Sequence, residues 1–151
     1  MRAIPGTSFV QLKASDADAA LLAIANAAVA EGFAQPSFPA ALVERERRFP
    51  TALPTIPPVA IPHADAAHII QPGFAIATLS EPVEFRIMGS DDDRVGVDII
   101  IALFVTEPDK QVAILGSLIE LVQRANWAAP LREAVSPAGL ASAFDAAFAS
   151  P

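Results

Sequence analysis

A dense run of prolines between residues 50 and 62 constrains this chain more than any other feature of its sequence. Proline lacks an amide donor and fixes its own φ angle, so this region is expected to exclude a helix and any central strand. The prolines are Pro50, Pro54, Pro57, Pro58 and Pro62. We predict an ordered loop closed by a very short strand at 59–61, and loops of this length in compact domains are usually functional.

Before the loop, the sequence pattern predicts one strand and two helices. Alternation of apolar and polar residues predicts a strand at about 8–12, and Ser15 offers an N-cap for a helix over 16–31. Ser37 offers a cap for a second helix, whose charged segment at 44–48 is expected to lie largely on the solvent side.

After the loop, the sequence predicts further strands covered by helices. A strand at about 74–80 precedes a short edge strand, whereas 95–106 is apolar on both faces and predicts a central, buried strand. A long helix is expected from Glu107 onward, and two shorter helices at about 128–135 and 137–149. The buried stripe of the long helix is predicted to comprise Val112, Leu115, Leu118, Ile119 and Val122. Strands mixed with enough helices for two faces predict one α/β domain spanning the chain.

Composition narrows the range of partners. The chain has 151 residues and a net charge of −7, so we expect no nucleic-acid binding, because phosphate contacts need clustered lysine and arginine. It has no cysteine, which excludes thiolate catalysis and cysteine zinc sites and fits a cytoplasmic protein. The longest apolar run contains Asp98 and falls short of the ~20 residues of a spanning helix, so we expect no membrane insertion.

The segment VAIPHAD, residues 59–65, carries the main candidate for catalysis. His63 follows the predicted short strand and Pro62, which limits how the imidazole can be presented. If His63 opened a helical turn, the free amides there could hold a phosphoryl group transferred to the neutral ring. A structural histidine that bonds a nearby carbonyl is the alternative, and spacing alone favours it.

Other polar residues give further hypotheses. His63, Asp65 and His68 could bind a metal and form a small hydrolase, but their spacing matches no standard ligand pattern, so no metal is expected. Asp65 would cap the short turn or fix a histidine tautomer, and the cap is the commoner role. Arg45 or another arginine of its segment could turn toward a phosphoryl group, although such arginines more often form a solvated helix face.

Four segments taken in order resemble a known family. They are VERERRFPTALPT, VAIPHAD, FAIATLSEPVEFRIMG and VDIIIALFVTEPDKQVAILGSLIELVQ. Over nearly the whole chain this order resembles the IIA component of the bacterial phosphoenolpyruvate-dependent sugar phosphotransferase system. The likeness is to the fructose/mannitol superfamily, and most of all to its galactitol-type branch. The ERE-to-FPT segment and the AIPH segment are specific in combination, whereas either alone would be weak.

This resemblance implies a mixed parallel and antiparallel sheet flanked by helices on both faces, and a phosphotransferase without a cofactor. His63 matches the phosphorylated histidine of the family, and Arg45 matches its active-site arginine. The histidine phosphocarrier protein (HPr) would be the donor and a IIB cysteine the acceptor, with a membrane IIC component in the same system. Because the chain lacks cysteine and an apolar span, we expect a free-standing IIA with no fused IIB or IIC.

One position departs from the mannitol-type pattern. Gln111 stands where those members have a second active-site histidine, as in the galactitol-type pattern; His68 could replace that histidine, and Thr51 could support the site. The implied function is uptake of a galactitol-like polyol or sugar. A monomer with transient partners is the default expectation, because a phosphocarrier must release each partner quickly. A regulatory protein of the nitrogen-related type and a degenerate binding domain are the alternatives.

Overall fold

A five-stranded mixed sheet forms the centre of the protein in the computed structural model, which describes residues 1–150. The strands are β1 (Phe9–Leu12), β2 (Ala52–Leu53), β3 (Val59–Ala60), β4 (Gly73–Arg86) and β5 (Arg94–Phe104). They lie in the order β1-β4-β5-β3-β2. The pairs β1–β4 and β3–β5 are parallel, whereas β4–β5 and β2–β3 are antiparallel. The predicted mixed sheet is confirmed.

Helices cover both faces of this sheet, as predicted. One face carries α1 (Ala17–Ala30) and α2 (Phe38–Arg48), and the other carries α3 (Gln111–Val122), α4 (Ala129–Glu133) and α5 (Pro137–Ala149). The central strand β5 is apolar on both faces because its residues enter the two cores alternately. The α3–α5 core receives Ile99, Ile101 and Leu103, and the α1–α2 core receives Ile100, Ala102 and Phe104. None of the helices in the described residues has the length and apolar character to cross a bilayer.

The prolines flank an interior strand instead of excluding one. β3 lies between β5 and β2, so the prediction that this region contains no central strand is wrong. Pro58 and Pro62 stand outside the two paired residues, where only their carbonyls are needed. Asp98 N donates to Pro58 O at 3.0 Å, and Leu103 N donates to Pro62 O at 3.0 Å. The proline-rich region therefore contributes two strands to the sheet, β2 and β3, and is followed by His63. Strand β2 was not predicted.

Strand β4 is one long strand, not the predicted strand followed by a separate edge strand. Its register with β5 shifts between Thr78 and Val83, a segment that contains Pro82. Because proline cannot donate to the ladder, the pairing is interrupted there and then resumes.

Several helix termini differ from the prediction. Asp16, not Ser15, caps α1, with its carboxylate accepting from Ala19 N at 2.8 Å. Ser37 occupies the N-cap of α2 but makes no cap hydrogen bond. Val112 was predicted to be buried and is 79% exposed, because α3 is fully buried only in its second half, at Leu118, Leu121 and Val122.

Candidate functional site

His63 lies where the chain leaves the carboxyl end of β3. It forms an isolated parallel bridge with Leu103 of β5 and is only 6% exposed. The following 3-10 turn, Ala66–His68, begins too late for His63 to open it, so that prediction is wrong. The sheet, and not a helix N-terminus, therefore fixes the position of His63.

The imidazole of His63 is held in one tautomer. Its Nδ1 lies 3.1 Å from Ile61 O. Since a carbonyl can only accept, Nδ1 carries the proton and Nε2 keeps its lone pair. Burial lowers the pKa of His63; the Ile61 hydrogen bond opposes this, and Arg45 adds to it. The ring is therefore neutral near pH 7, with Nε2 as a potential nucleophile.

Arg45, on the last turns of α2, has donors that the protein leaves unused. Its Nη1 lies 3.6 Å from Asp65 Oδ1, and its guanidinium carbon lies 4.7 Å from the centre of the Phe49 ring. Its Nε is buried and has no hydrogen-bond partner within residues 1–150. Buried N–H groups are normally paired, so this unpaired donor marks Arg45 as unusual among the described side chains.

A cleft of about 240 Å³ brings several of the predicted site residues together. Arg45, Asp65 and His68 line it with Glu44, Arg48 and Phe49, and we call it the Arg45 cleft. His68 Nδ1 lies 2.8 Å from Ser37 Oγ, which fixes the imidazole from one side. The residue after His63, Ala64, also lines the cleft, so the cleft adjoins the histidine.

The structure corrects the predicted capping role of Asp65 and gives no support to a metal site. Asp65 stands at the N-cap of the short turn but makes no cap hydrogen bond; its carboxylate faces Arg45 instead. Across residues 1–150, no group of three or more His, Asp or Glu side chains is arranged to hold a metal ion. The hydrolase hypothesis therefore finds no support in this geometry.

Gln111 and Thr51 lie apart from the Arg45 cleft. Gln111 is the half-buried first residue of α3, and its side chain forms no hydrogen bond with the described residues. Thr51 is buried just after α2 and donates twice to Glu46, from its backbone N at 2.8 Å and from Oγ1 at 2.7 Å.

Glu46 is the residue that sequence reasoning missed. It was expected on the solvent side with its charged neighbours, but it is 7% exposed. Burial raises its pKa to about 7, against the hydrogen bonds from Thr51 and the charges of Arg86 and Arg45, which lower it. A signal was present, because the buried residues Phe38 and Leu42 precede Glu46 at four-residue steps on one helix face.

Sequence comparisons identify the family of this chain. The family model for the phosphoenolpyruvate-dependent sugar phosphotransferase system, EIIA 2, matches residues 5–146. The galactitol-specific EIIA component of Escherichia coli K12 is 32% identical to this chain over 120 residues. That match covers 79% of this chain and 76% of the relative.

Structural comparisons show the same fold. A putative IIA protein, PtxA, from Streptococcus mutans has a TM-score of 0.76 at 21% identity, covering 97% of this chain and 92% of that one. The mannitol enzyme IIA of Escherichia coli, in its complex with phosphorylated enzyme IIB, has a TM-score of 0.70 at 17% identity. Coverage there is 93% of this chain and 95% of the other.

Proposed function

The chain belongs to the EIIA type 2 family of the phosphoenolpyruvate-dependent sugar phosphotransferase system, and we propose that His63 is its phosphoryl carrier. Components of this family are phosphotransferases. The observation that carries the proposal is a buried, neutral imidazole with a free Nε2, next to an arginine whose buried Nε has no partner in the described residues.

The reaction would proceed in two transfers. In the first, the Nε2 lone pair attacks the phosphorus of the phosphohistidine on HPr, and the donor P–N bond breaks with its electron pair returning to the donor ring. In the second, a cysteine thiolate of a IIB component attacks the same phosphorus, and the P–Nε2 bond breaks. Phosphoryl transfer depends mainly on positioning and charge stabilisation, and both can be assigned to residues of this chain.

Arg45 would supply the charge stabilisation. A guanidinium can donate to two phosphoryl oxygens at once from its two terminal nitrogens, and Nη1 of Arg45 is only weakly paired, at 3.6 Å from Asp65 Oδ1. Asp65 holds the guanidinium while the site is empty, but its side chain is 80% exposed, so this ion pair is weak enough to be exchanged for a phosphoryl dianion. The hydrogen bond from Nδ1 to Ile61 O would stabilise the positive ring of phosphorylated His63.

His68 is the better candidate to complete the site where mannitol-type members have a second histidine. It shares the Arg45 cleft with Arg45 and Asp65, whereas Gln111 does not line that cleft. With Nδ1 bonded to Ser37, the Nε2 of His68 is available to contact a phosphoryl oxygen. Gln111 would then have a smaller role.

Similarity to galactitol-specific relatives supports a role in uptake. We propose that this cytoplasmic component takes its phosphoryl group from HPr and works with IIB and a membrane IIC on a galactitol-like polyol or sugar. A regulatory function of the nitrogen-related type would use the same chemistry at His63. Transport is favoured because the 32% identical relative is a sugar-specific component.

The proposal is tested by incubating the protein with phosphoenolpyruvate, enzyme I and HPr and measuring an acid-labile phosphoryl adduct. Wild-type protein should form a stoichiometric adduct, and His63→Ala none. His68→Ala is the matched control, since it removes the other histidine and should reach the same final adduct more slowly. Absence of an adduct on the wild type, or an undiminished adduct on His63→Ala, would refute the role of His63.

A further inference from the structure

We propose that Glu46 is a positioning residue for phosphoryl transfer: it holds Thr51, and through Thr51 it holds the strand that presents His63. This inference rests on the proposed role of His63. It concerns a buried carboxylate that touches neither the Arg45 cleft nor the imidazole, so Glu46 would act through its contacts and not on the phosphoryl group.

The contact between Glu46 and Thr51 uses both oxygens of the carboxylate. Thr51 N donates to Oε2 at 2.8 Å and Thr51 Oγ1 donates to Oε1 at 2.7 Å, and both residues are buried. We call this pair the Glu46–Thr51 clamp. It ties the last turn of α2 to the first residues of the proline loop.

From the clamp, hydrogen bonds continue to the imidazole. Thr51 O accepts from Ile61 N at 3.4 Å, and Ile61 O in turn faces Nδ1 of His63 at 3.1 Å. Beside them, β2 and β3 pair through Ala52 and Ala60. The carboxylate of Glu46 is thus linked to the ring of His63 through two intervening residues, Thr51 and Ile61.

The clamp also fixes the distance between the two functional side chains. Arg45 precedes Glu46 on α2, whereas His63 follows the proline loop. Along the chain, Arg45 and His63 are therefore connected through that loop. Tying Thr51 to Glu46 shortens the free part of the connection and holds β2, and with it β3, against α2. A misplacement of about 1 Å can slow a reaction about 100-fold, so such a tie matters for transfer.

The charges around Glu46 argue against a purely stabilising role. The cations that act on it are Arg45, on the same helix, and Arg86, on β4. Neither forms a salt bridge with its carboxylate within residues 1–150: Arg45 pairs with Asp65, and Arg86 Nη1 donates to Asp91 O. A buried carboxylate without an ion-pair partner disfavours folding, so its presence next to the site is better explained by what it positions.

Three variants test the clamp. Glu46→Ala removes the acceptors, Thr51→Val removes the hydroxyl while keeping the shape, and Glu46→Gln keeps two hydrogen bonds, with Oε1 accepting from Thr51 N and the amide donating to Oγ1. Thr78→Val is the matched control. Thr78 is also a buried threonine, and its Oγ1 accepts from Gln11 N in β1, at the opposite edge of the sheet.

Two measurements are made on folded, full-length protein. Nitrogen-15 NMR of the His63 ring, without phosphorylation, reports the Nδ1–H tautomer; single-turnover transfer from phosphorylated HPr reports the rate. In Glu46→Ala and Thr51→Val the tautomer should become mixed and the rate should fall by about 10- to 100-fold. Glu46→Gln should keep the wild-type tautomer and a rate within about 3-fold, and Thr78→Val should change neither.

The outcomes separate this inference from the proposed function. A wild-type tautomer and rate in Glu46→Ala would overturn the clamp, and if that variant does not fold, the same result in Thr51→Val decides. An equal loss in Thr78→Val would also overturn it, because general destabilisation would then be the cause. If wild-type protein forms no adduct, the role of His63 fails, whereas the tautomer still tests whether Glu46 positions the ring.

Discussion

The clefts at the two ends of strand β3 differ in size and in the pairing of their charged side chains. At its carboxyl end, the Arg45 cleft has a volume of about 240 Å³. At its amino end, Pro57 and Pro58 border a cleft of about 1100 Å³, which we call the Asp98 cleft after one of the residues that line it. The smaller cleft adjoins His63 and is lined by Arg45, whose buried Nε has no partner in residues 1–150, whereas each arginine of the larger cleft, Arg124 and Arg132, has a partner.

The contrast comes from how the charges are paired. In the Asp98 cleft, Arg132 Nη2 lies 2.6 Å from Asp98 Oδ2, and Arg124 reaches the carbonyl of Ala147 at the end of α5. In the Arg45 cleft, the nearest carboxylate is 3.6 Å from Arg45 and highly exposed. We therefore place the proposed chemistry at the end of β3 where Arg45 is weakly paired, and not at the end with the larger cleft.

The largest predicted effect is on the rate of phosphoryl transfer, when one arginine from each cleft is replaced. Arg45→Ala should slow phosphoryl transfer to His63 by about 1,000-fold, because the charge on the transferred group loses its preorganised donors. Arg132→Ala should leave the rate within about 2-fold, since the proposed reaction uses no residue of the Asp98 cleft. Single-turnover transfer from phosphorylated HPr measures both.

Arg45→Lys refines this prediction. Lysine keeps the charge but lacks the planar fork of donors, so its rate should lie between those of wild type and Arg45→Ala. Equal rates for Arg45→Ala and Arg132→Ala would remove the distinction between the two ends.

The second prediction concerns how the free energy of unfolding depends on pH through Glu46. The pKa of Glu46 is raised from 4.5 to about 7 in the folded protein, so the native state binds more protons than the unfolded state between these values. Stability from this group is therefore lost as pH rises from about 4.5 to about 7, by about 3 kcal/mol. In Glu46→Gln, which has no carboxyl to ionise, this loss should be absent.

Denaturant unfolding of both proteins from about pH 4 to about pH 8 measures the difference. His63 has a lowered pKa and contributes with the opposite sign, losing stability as pH falls below its unfolded value. It is present in both proteins and cancels in the comparison. Parallel stability curves would show that Glu46 does not carry the buried charge described above.

The same two ends show what could be read from the sequence. The central strand and the helices on both faces were predictable, because long apolar patterns are dominated by burial. The very short strand predicted at 59–61 corresponds to β3, but its interior position was not predictable, since two paired residues between prolines are too short for any periodic signal. His63 and Arg45 are proposed from the AIPH and ERE segments. The burial of Glu46 had only a weak signal, the four-residue spacing from Phe38 and Leu42, because it stands within a run of charged residues.

The third prediction compares His68 with Gln111, the two candidates to support phosphoryl transfer at His63. His68→Gln should slow transfer by about 10-fold, because it replaces the His68 imidazole, which lines the Arg45 cleft and can contact the phosphoryl group. Gln111→Ala, the matched control, should change the rate by less than about 2-fold. The reverse ranking would assign the supporting role to the start of α3.

The fourth prediction concerns the aromatic ring beside Arg45. Phe49 is 57% exposed, and its ring lies under the guanidinium, an arrangement worth about 0.5–1 kcal/mol at exposed sites. Phe49→Leu should therefore slow transfer by about 2- to 5-fold. Ile56→Ala, at an exposed apolar residue that lines the Asp98 cleft, should have no effect on the rate.

The smallest effect is expected for the ion pair of the Asp98 cleft. Asp98→Asn keeps the shape of the side chain and the backbone bond to Pro58 O, and removes only the charge that faces Arg132. Because Arg132 is half exposed, the free energy of unfolding should fall by less than about 1 kcal/mol, and the loss should shrink at high salt. Transfer to His63 should be unchanged. A slower transfer in this variant would mean that the Asp98 cleft communicates with His63 along β5, which bears Asp98 and pairs with His63 at Leu103, and the two ends would then form one functional unit.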